Sequence, residues 1–157
     1  MIFNIEEYKS QLNACNLNTV MIIENFILNN SGKYSKTELW NALPKDVRYQ
    51  SCKVLIDFLI FSKKIFIENK KIHWSLSQKI FDNTKYNSQN RMPTLTSLSN
   101  ILEFISKNEN LFSKTELWKA LPKKIMYQTY KVAIEYLIDS KLLEIQNKKI
   151  ILGGNIK

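Results

Sequence analysis

Residues 34–75 and 112–153 are one segment written twice. YSKTELWNALPKDVRYQSCKVLIDFLIFSKKIFIENKKIHWS lies over FSKTELWKALPKKIMYQTYKVAIEYLIDSKLLEIQNKKIILG without a gap, at an offset of 78 residues, and 24 of the 42 pairs are identical. Chance does not produce such a match, so the chain is a tandem duplication. Two copies are too few for a solenoid. They imply two small globular units in series, each of roughly 60–75 residues, and units that small bury only about 60% of their unfolded surface. Each is therefore expected to pack against its twin or a partner.

The duplicated segment carries the charge. Each copy holds eight Lys or Arg and four Asp or Glu, so the two copies supply +8 of the formal +9. Basic charge gathered on a repeated unit suggests a polyanionic partner. The plainer alternative is a solvated lysine coat. No apolar run is long enough for a membrane span, and the start MIFNIEEYKS lacks the pattern of a secretory leader, so a cytoplasmic protein is expected. Cys15 and Cys52 then read as reduced core thiols, since Cys52 faces Tyr130 in the other copy and the duplication does not preserve it.

One unit can be followed residue by residue. Ile23, Phe26 and Ile27, matched by Ile101, Phe104 and Ile105, have the spacing of a helix capped by Thr19, or by Thr96 or Ser97 in the second copy. Ser35 with Glu38, and Ser113 with Glu116, form capping boxes for a second helix of about eight or nine residues. Pro44 ends that helix, because the residue before proline is pushed out of the helical region. A third helix is expected from near Asp46 to Ser62, or Lys124 to Ser140, with Tyr49, Cys52, Ile56, Leu59, Ile60 and Lys63 on its core face. Ile65 and Ile67, then Ile72 and Trp74, alternate around Asn69-Lys70, which predicts a β-hairpin. Trp40, Trp118 and Trp74 read as core residues. Residues 76–94, rich in Asn, Ser and Gln and holding Pro93, read as a linker, NIEEYKSQLN as a short added helix, and GGNIK as a frayed tail.

Chemistry is sparse. The single histidine, His73, faces Ile151 in the other copy, and three glycines make no phosphate loop. No paired carboxylates are evident. The chain reads as a non-enzyme with no cofactor, no metal site and no evident small-molecule substrate.

The order helix, short link, capped helix, turn, long helix, hairpin resembles the winged-helix superfamily, a helix-turn-helix variant with a hairpin wing. The resemblance covers roughly 15–75 and 94–153. The LPK…YQ…K…YL stretch is also similar to small archaeal winged-helix proteins of unassigned function. The expected fold class is mainly α with small β-hairpins, α+β, in two tandem winged-helix domains at 19–75 and 95–153. The resemblance implies double-stranded DNA as partner and regulation of transcription as role, with the third helix in the major groove and the wing on the backbone. Carried over by position, the DNA-facing candidates are Lys45, Arg48, Gln50, Ser51, Lys53, Val54 and Asp57, with Lys123, Lys124, Gln128, Thr129, Lys131, Val132 and Glu135. The wings add Lys70, Lys71, Lys148 and Lys149.

A second reading competes. The outer face of the third helix holds Val54, Phe58 and Phe61, or Val132 and Tyr136, and each copy adds a carboxylate, Asp57 or Glu135. Carboxylates repel phosphate and aromatic side chains favour burial, so this face suits a protein contact: between the units, in a homodimer, or with another chain. The alternative is therefore a scaffold or assembly module. A plasmid or viral replication initiator is a third.

Overall fold

The structure, a computed structural model, describes residues 15–44, 47–76, 78, 80–81 and 92–154. The expected N-terminal helix, Lys45, the middle of the linker and the last three residues lie outside them. The first unit contains α1 (Leu17–Asn29), α2 (Lys36–Ala42), α3 (Tyr49–Phe61), β1 (Ile65–Glu68) and β2 (Lys71–Trp74). The second contains α4 (Leu95–Lys107), α5 (Lys114–Ala120), α6 (Tyr127–Asp139), β3 (Leu143–Gln146) and β4 (Lys149–Leu152). The class is α+β: among the described residues, six helices and two separate two-stranded antiparallel sheets.

Helix starts follow from side-chain chemistry, with two corrections. Asn16 caps α1 by accepting from the Thr19 N–H at 3.1 Å, and Thr94 caps α4 by accepting from the Ser97 N–H at 3.2 Å. The expected caps at Thr19 and at Thr96 or Ser97 come too late, because Leu17 and Leu95 are fully buried and extend each apolar stripe backwards. Both predicted capping boxes are present, and Leu43 before Pro44 is extended at φ −73°, ψ 161°. Helix α3 begins at Tyr49 rather than near Asp46. The Val47 N–H donates to the Pro44 carbonyl at 3.1 Å and Val47 enters the core, which leaves Arg48 extended ahead of the helix.

Each hairpin turns on two residues of positive φ: Asn69 (52°) and Lys70 (65°), then Asn147 (53°) and Lys148 (67°). That is the handedness that matches the twist of a two-residue hairpin. The outer edge of β2 is closed by the chain after α1, since the Gly32 N–H donates to Ile72 O and the Ile72 N–H to Tyr34 O, both at 2.8 Å. Asn110 and Phe112 repeat this on Ile150. Gly32 has φ +79°, and a Cβ there would stand 3.0 Å from His73 Cε1. Its counterpart Asn110 also has positive φ, but faces a strand with Ile151 in place of the histidine.

The two units share one hydrophobic core. At their junction the Leu17 N–H donates to Pro93 O at 2.8 Å, and the Leu95 N–H donates to Cys15 O at 2.7 Å. Residues 15, 16 and 17 correspond to 93, 94 and 95 at the repeat offset, and Asn16 bridges Thr94 antiparallel. Each unit therefore gives the other what it receives. That reciprocity is the mark of a two-fold contact between like subunits, here within one chain. The described ends of the linker pack as well, with Phe81 and Pro93 buried. Gly153, expected in a frayed tail, is buried and donates to Leu142 O at 2.8 Å, with no room for a Cβ beside Lys141 O.

Candidate nucleic-acid interface

Helix α3 is buried on two sides. Cys52, Leu55, Ile56 and Leu59 pack within their own unit, while Ser51, Val54 and Phe58 are buried on the adjoining face. Helix α6 repeats this with Thr129, Val132 and Tyr136. Spacing of i, i+4 puts Val54 with Phe58, and Val132 with Tyr136, on one helix face. Tyr136 reaches across to α1, so this face belongs to the junction between units. The expectation that Ser51, Val54, Thr129 and Val132 meet a DNA groove is therefore corrected: 5%, 1%, 6% and 0% of their surface is exposed. The expectation that Val54, Phe58, Val132 and Tyr136 offer a face to another chain is corrected by the same burial. Of the three contacts weighed for that face, the structure shows the first, contact between the units. Phe61 is half-buried and packs near Phe58.

What remains on the surface of these helices is polar. Gln50 and Lys53 on α3, and Gln128 and Lys131 on α6, are exposed, with Asp57 and Glu135 half-buried beside them. Arg48, Lys123 and Lys124 are exposed just ahead of the two helices, although the Lys124 ammonium is turned back onto Lys119 O. At the hairpin tips Lys70 and Lys148 are exposed. Lys71 and Lys149 are not free cations. Each is tied to the capping-box glutamate, Lys71 to Glu38 at 2.9 Å and Lys149 to Glu116 at 3.1 Å. The Lys71 ammonium and the Ser35 groups hold the Glu38 carboxyl down at about 2, and the Ser113 N–H, Lys149 and the Ser113 hydroxyl do the same for Glu116. Exposed lysines also occur away from this surface, at Lys33, Lys63, Lys107 and Lys141, so the positive charge is spread more widely than the third helix and hairpin.

The sequence reading missed a polar cluster in the junction. Lys64 and Glu24 have fully buried side chains and pair at 3.0 Å. The Tyr136 hydroxyl donates to Glu24 Oε2 at 2.6 Å and accepts from Lys64 Nζ at 3.0 Å. The Lys64 ammonium also sits 4.2 Å from the centre of the Tyr136 ring. Burial lowers the Lys64 pKa, an effect the Glu24 charge opposes, and burial together with Glu24 raises that of Tyr136. The signal was available at the repeat offset, where Glu24 and Lys64 stand opposite Leu102 and Leu142.

Among the described residues no cluster of His, Cys, Asp and Glu could hold a metal. His73 stacks on Phe66, ring centres 5.1 Å apart. Burial raises both thiols, Cys52 to about 11, which keeps them protonated and unreactive near neutral pH. Among the described residues no helix is long and apolar enough to cross a membrane. Comparison of the chain with protein-family models, curated proteins and solved structures found no match.

Proposed function

We propose that this chain is a double-stranded DNA-binding protein, built from two winged-helix units fused as an internal dimer, and that it regulates transcription. One observation carries the reading. Lys53 with Lys131, Lys70 with Lys148, and Gln50 with Gln128 are exposed at matching places in the two units. A two-fold axis sets equivalent atoms at the same height along it, so one rod-like polyanion crossing that axis can meet both sets. DNA has such local two-folds, and dimeric helix-turn-helix proteins use them to bind repeated half-sites. Lysines contribute phosphate contacts that fix position, while the glutamines can bond adenine edges. The scaffold alternative is disfavoured because the apolar face it needs is spent inside the molecule.

The test is a mobility-shift titration of the whole chain on random and on two-fold-symmetric duplexes at increasing salt. If Lys53, Lys70, Lys131 and Lys148 each neutralise one phosphate, the slope of log affinity on log salt should be about −3.6. Changing all four to Glu should abolish binding. An absence of duplex binding at low salt, or a quadruple variant that binds as well as the parent, overturns the proposal.

A further inference from the structure

The two units differ in a groove between the second and third helices. In the first unit Lys36, Trp40, Tyr49, Lys53, Ile56 and Asp57 line an open cavity of about 320 Å³, with Cys52 among its walls. Trp40 is 39% exposed and Tyr49 50% exposed, against the expectation that Trp40 is core. The second unit fills the corresponding space. Its residue at the Cys52 position is Tyr130, 3% exposed, whose hydroxyl donates to the Lys114 carbonyl. The surrounding frame is the same in both. Trp40 meets Tyr49 edge-on with ring centres 5.1 Å apart, and Trp118 meets Tyr127 edge-on at 5.1 Å. Tyr130 adds a third ring, 6.3 Å from Tyr127. The first unit thus keeps the frame of a three-ring cluster and lacks the third ring.

From this we infer that the first unit's groove binds a small, free phenol, with the ligand's ring taking the place that Tyr130 fills in the second unit. The acceptor for its hydroxyl is the Lys36 carbonyl, the counterpart of Lys114. A helical carbonyl has two lone pairs and the i+4 N–H uses one, so the second is open. The aromatic pair supplies an apolar wall with edges and faces for a further ring. Lys36 and Lys53 outnumber Asp57 on the lining, which favours a phenol bearing an anionic group over a neutral one. The site does not depend on DNA binding.

The experiment titrates the full chain with 3-hydroxybenzoate, and separately with 3-methylphenol, while following the tryptophan indole N–H signals by nuclear magnetic resonance. Their substituents avoid the Cys52 side chain, which stands where the para position of the Tyr130 ring is attached. Saturable movement of the Trp40 signal is expected, without matching movement of Trp118, with a dissociation constant on the order of 1 mM for so small a ligand. Cys52→Tyr should fill its own groove and abolish the effect, whereas Cys52→Ser should keep it. Lys53→Glu should weaken 3-hydroxybenzoate about two- to fivefold and leave 3-methylphenol unchanged, which keeps the site testable if Cys52→Tyr fails to fold. A Trp40 signal that never saturates, equal movement of Trp118, or saturation by a tyrosine-containing acidic peptide but by neither phenol would overturn the inference.

Discussion

The same fold is sealed with charge on one side of the junction and with hydrocarbon on the other. Glu24, Lys64 and Tyr136 meet through three hydrogen bonds. Their counterparts at the repeat offset are Leu102, Leu142 and Phe58, all fully buried. A buried ion pair seldom adds stability over well-packed apolar groups, because desolvation offsets the attraction. The polar version therefore needs another rationale, and the symmetry supplies one. If two first units from different chains paired through this face, Glu24 and Lys64 would meet Phe58, which has no hydroxyl. The ion pair would lose both of its bonds to Tyr136. Only the first-to-second pairing completes the network, so the polar cluster is expected to disfavour mispaired assemblies.

The sharpest way to break that comparison is to remove one charge. Lys64→Leu should destabilise the chain by about 3–5 kcal/mol in urea unfolding, because it leaves Glu24 buried without its cation. Copying the apolar side entirely, with Glu24→Leu, Lys64→Leu and Tyr136→Phe together, should restore the parent's stability or exceed it by about 1–4 kcal/mol. A triple variant as weak as the single one would show that the cluster is needed for stability itself. The same triple variant should form more intermolecular dimer in light scattering if the polar cluster enforces pairing.

A second contrast lies in the grooves. Tyr130→Cys should open in the second unit the cavity already present in the first, at a cost of roughly 2–3 kcal/mol, at the low end for a buried aromatic because cysteine keeps one atom beyond Cβ. Thermal or urea unfolding would measure it, and an unchanged midpoint would mean that Tyr130 contributes no packing there.

Much of this architecture was readable from the residues. The offset match gave the two units, the Ser–Glu spacings gave the capping boxes, and Asn69-Lys70 with Asn147-Lys148 gave the turns, since each rests on local chemistry. The junction was only half legible. Phe58 and Val54 stood out as apolar residues on a face that should be wet, which pointed to a contact. Which contact depended on how two units meet, and no local pattern encodes that. Glu24 and Lys64 are 40 positions apart in sequence, so no local spacing pairs them. Ser51 and Thr129 were misread as groove-facing because small polar residues are at home at a helix surface or in a tight interface. The fate of Lys71 and Lys149 also needed the fold, which brings the strand residue just after each hairpin turn beside a helix cap.

That last placement separates the lysines of each hairpin and gives a smaller effect. Lys70→Glu with Lys148→Glu should lower the magnitude of the salt slope for duplex binding by about 1.8, from two lost phosphate contacts. Lys71→Gln with Lys149→Gln should change it less, since Glu38 and Glu116 already neutralise those cations. If the second pair matters as much as the first, the salt bridges open on DNA and the distinction between free and glutamate-paired lysines fails.

The smallest effect comes from acid. Glu38 and Glu116 are held at about 2, below the range of an unfolded glutamate. A carboxylate with a depressed folded pKa contributes stability that is complete above its unfolded value and is lost as pH falls through the folded one. Both units should therefore weaken between about pH 4.5 and pH 2. Glu38→Gln keeps an acceptor for the Ser35 N–H but removes the titrating charge, so the variant should start weaker at neutral pH and lose less on acidification. Urea midpoints for the parent, Glu38→Gln, Glu116→Gln and the double variant would separate the two caps. Equal acid sensitivity in the parent and the double variant would assign the loss to other carboxylates. Equal contributions from the two single variants would show that the caps, unlike the junction, have remained alike in the two units.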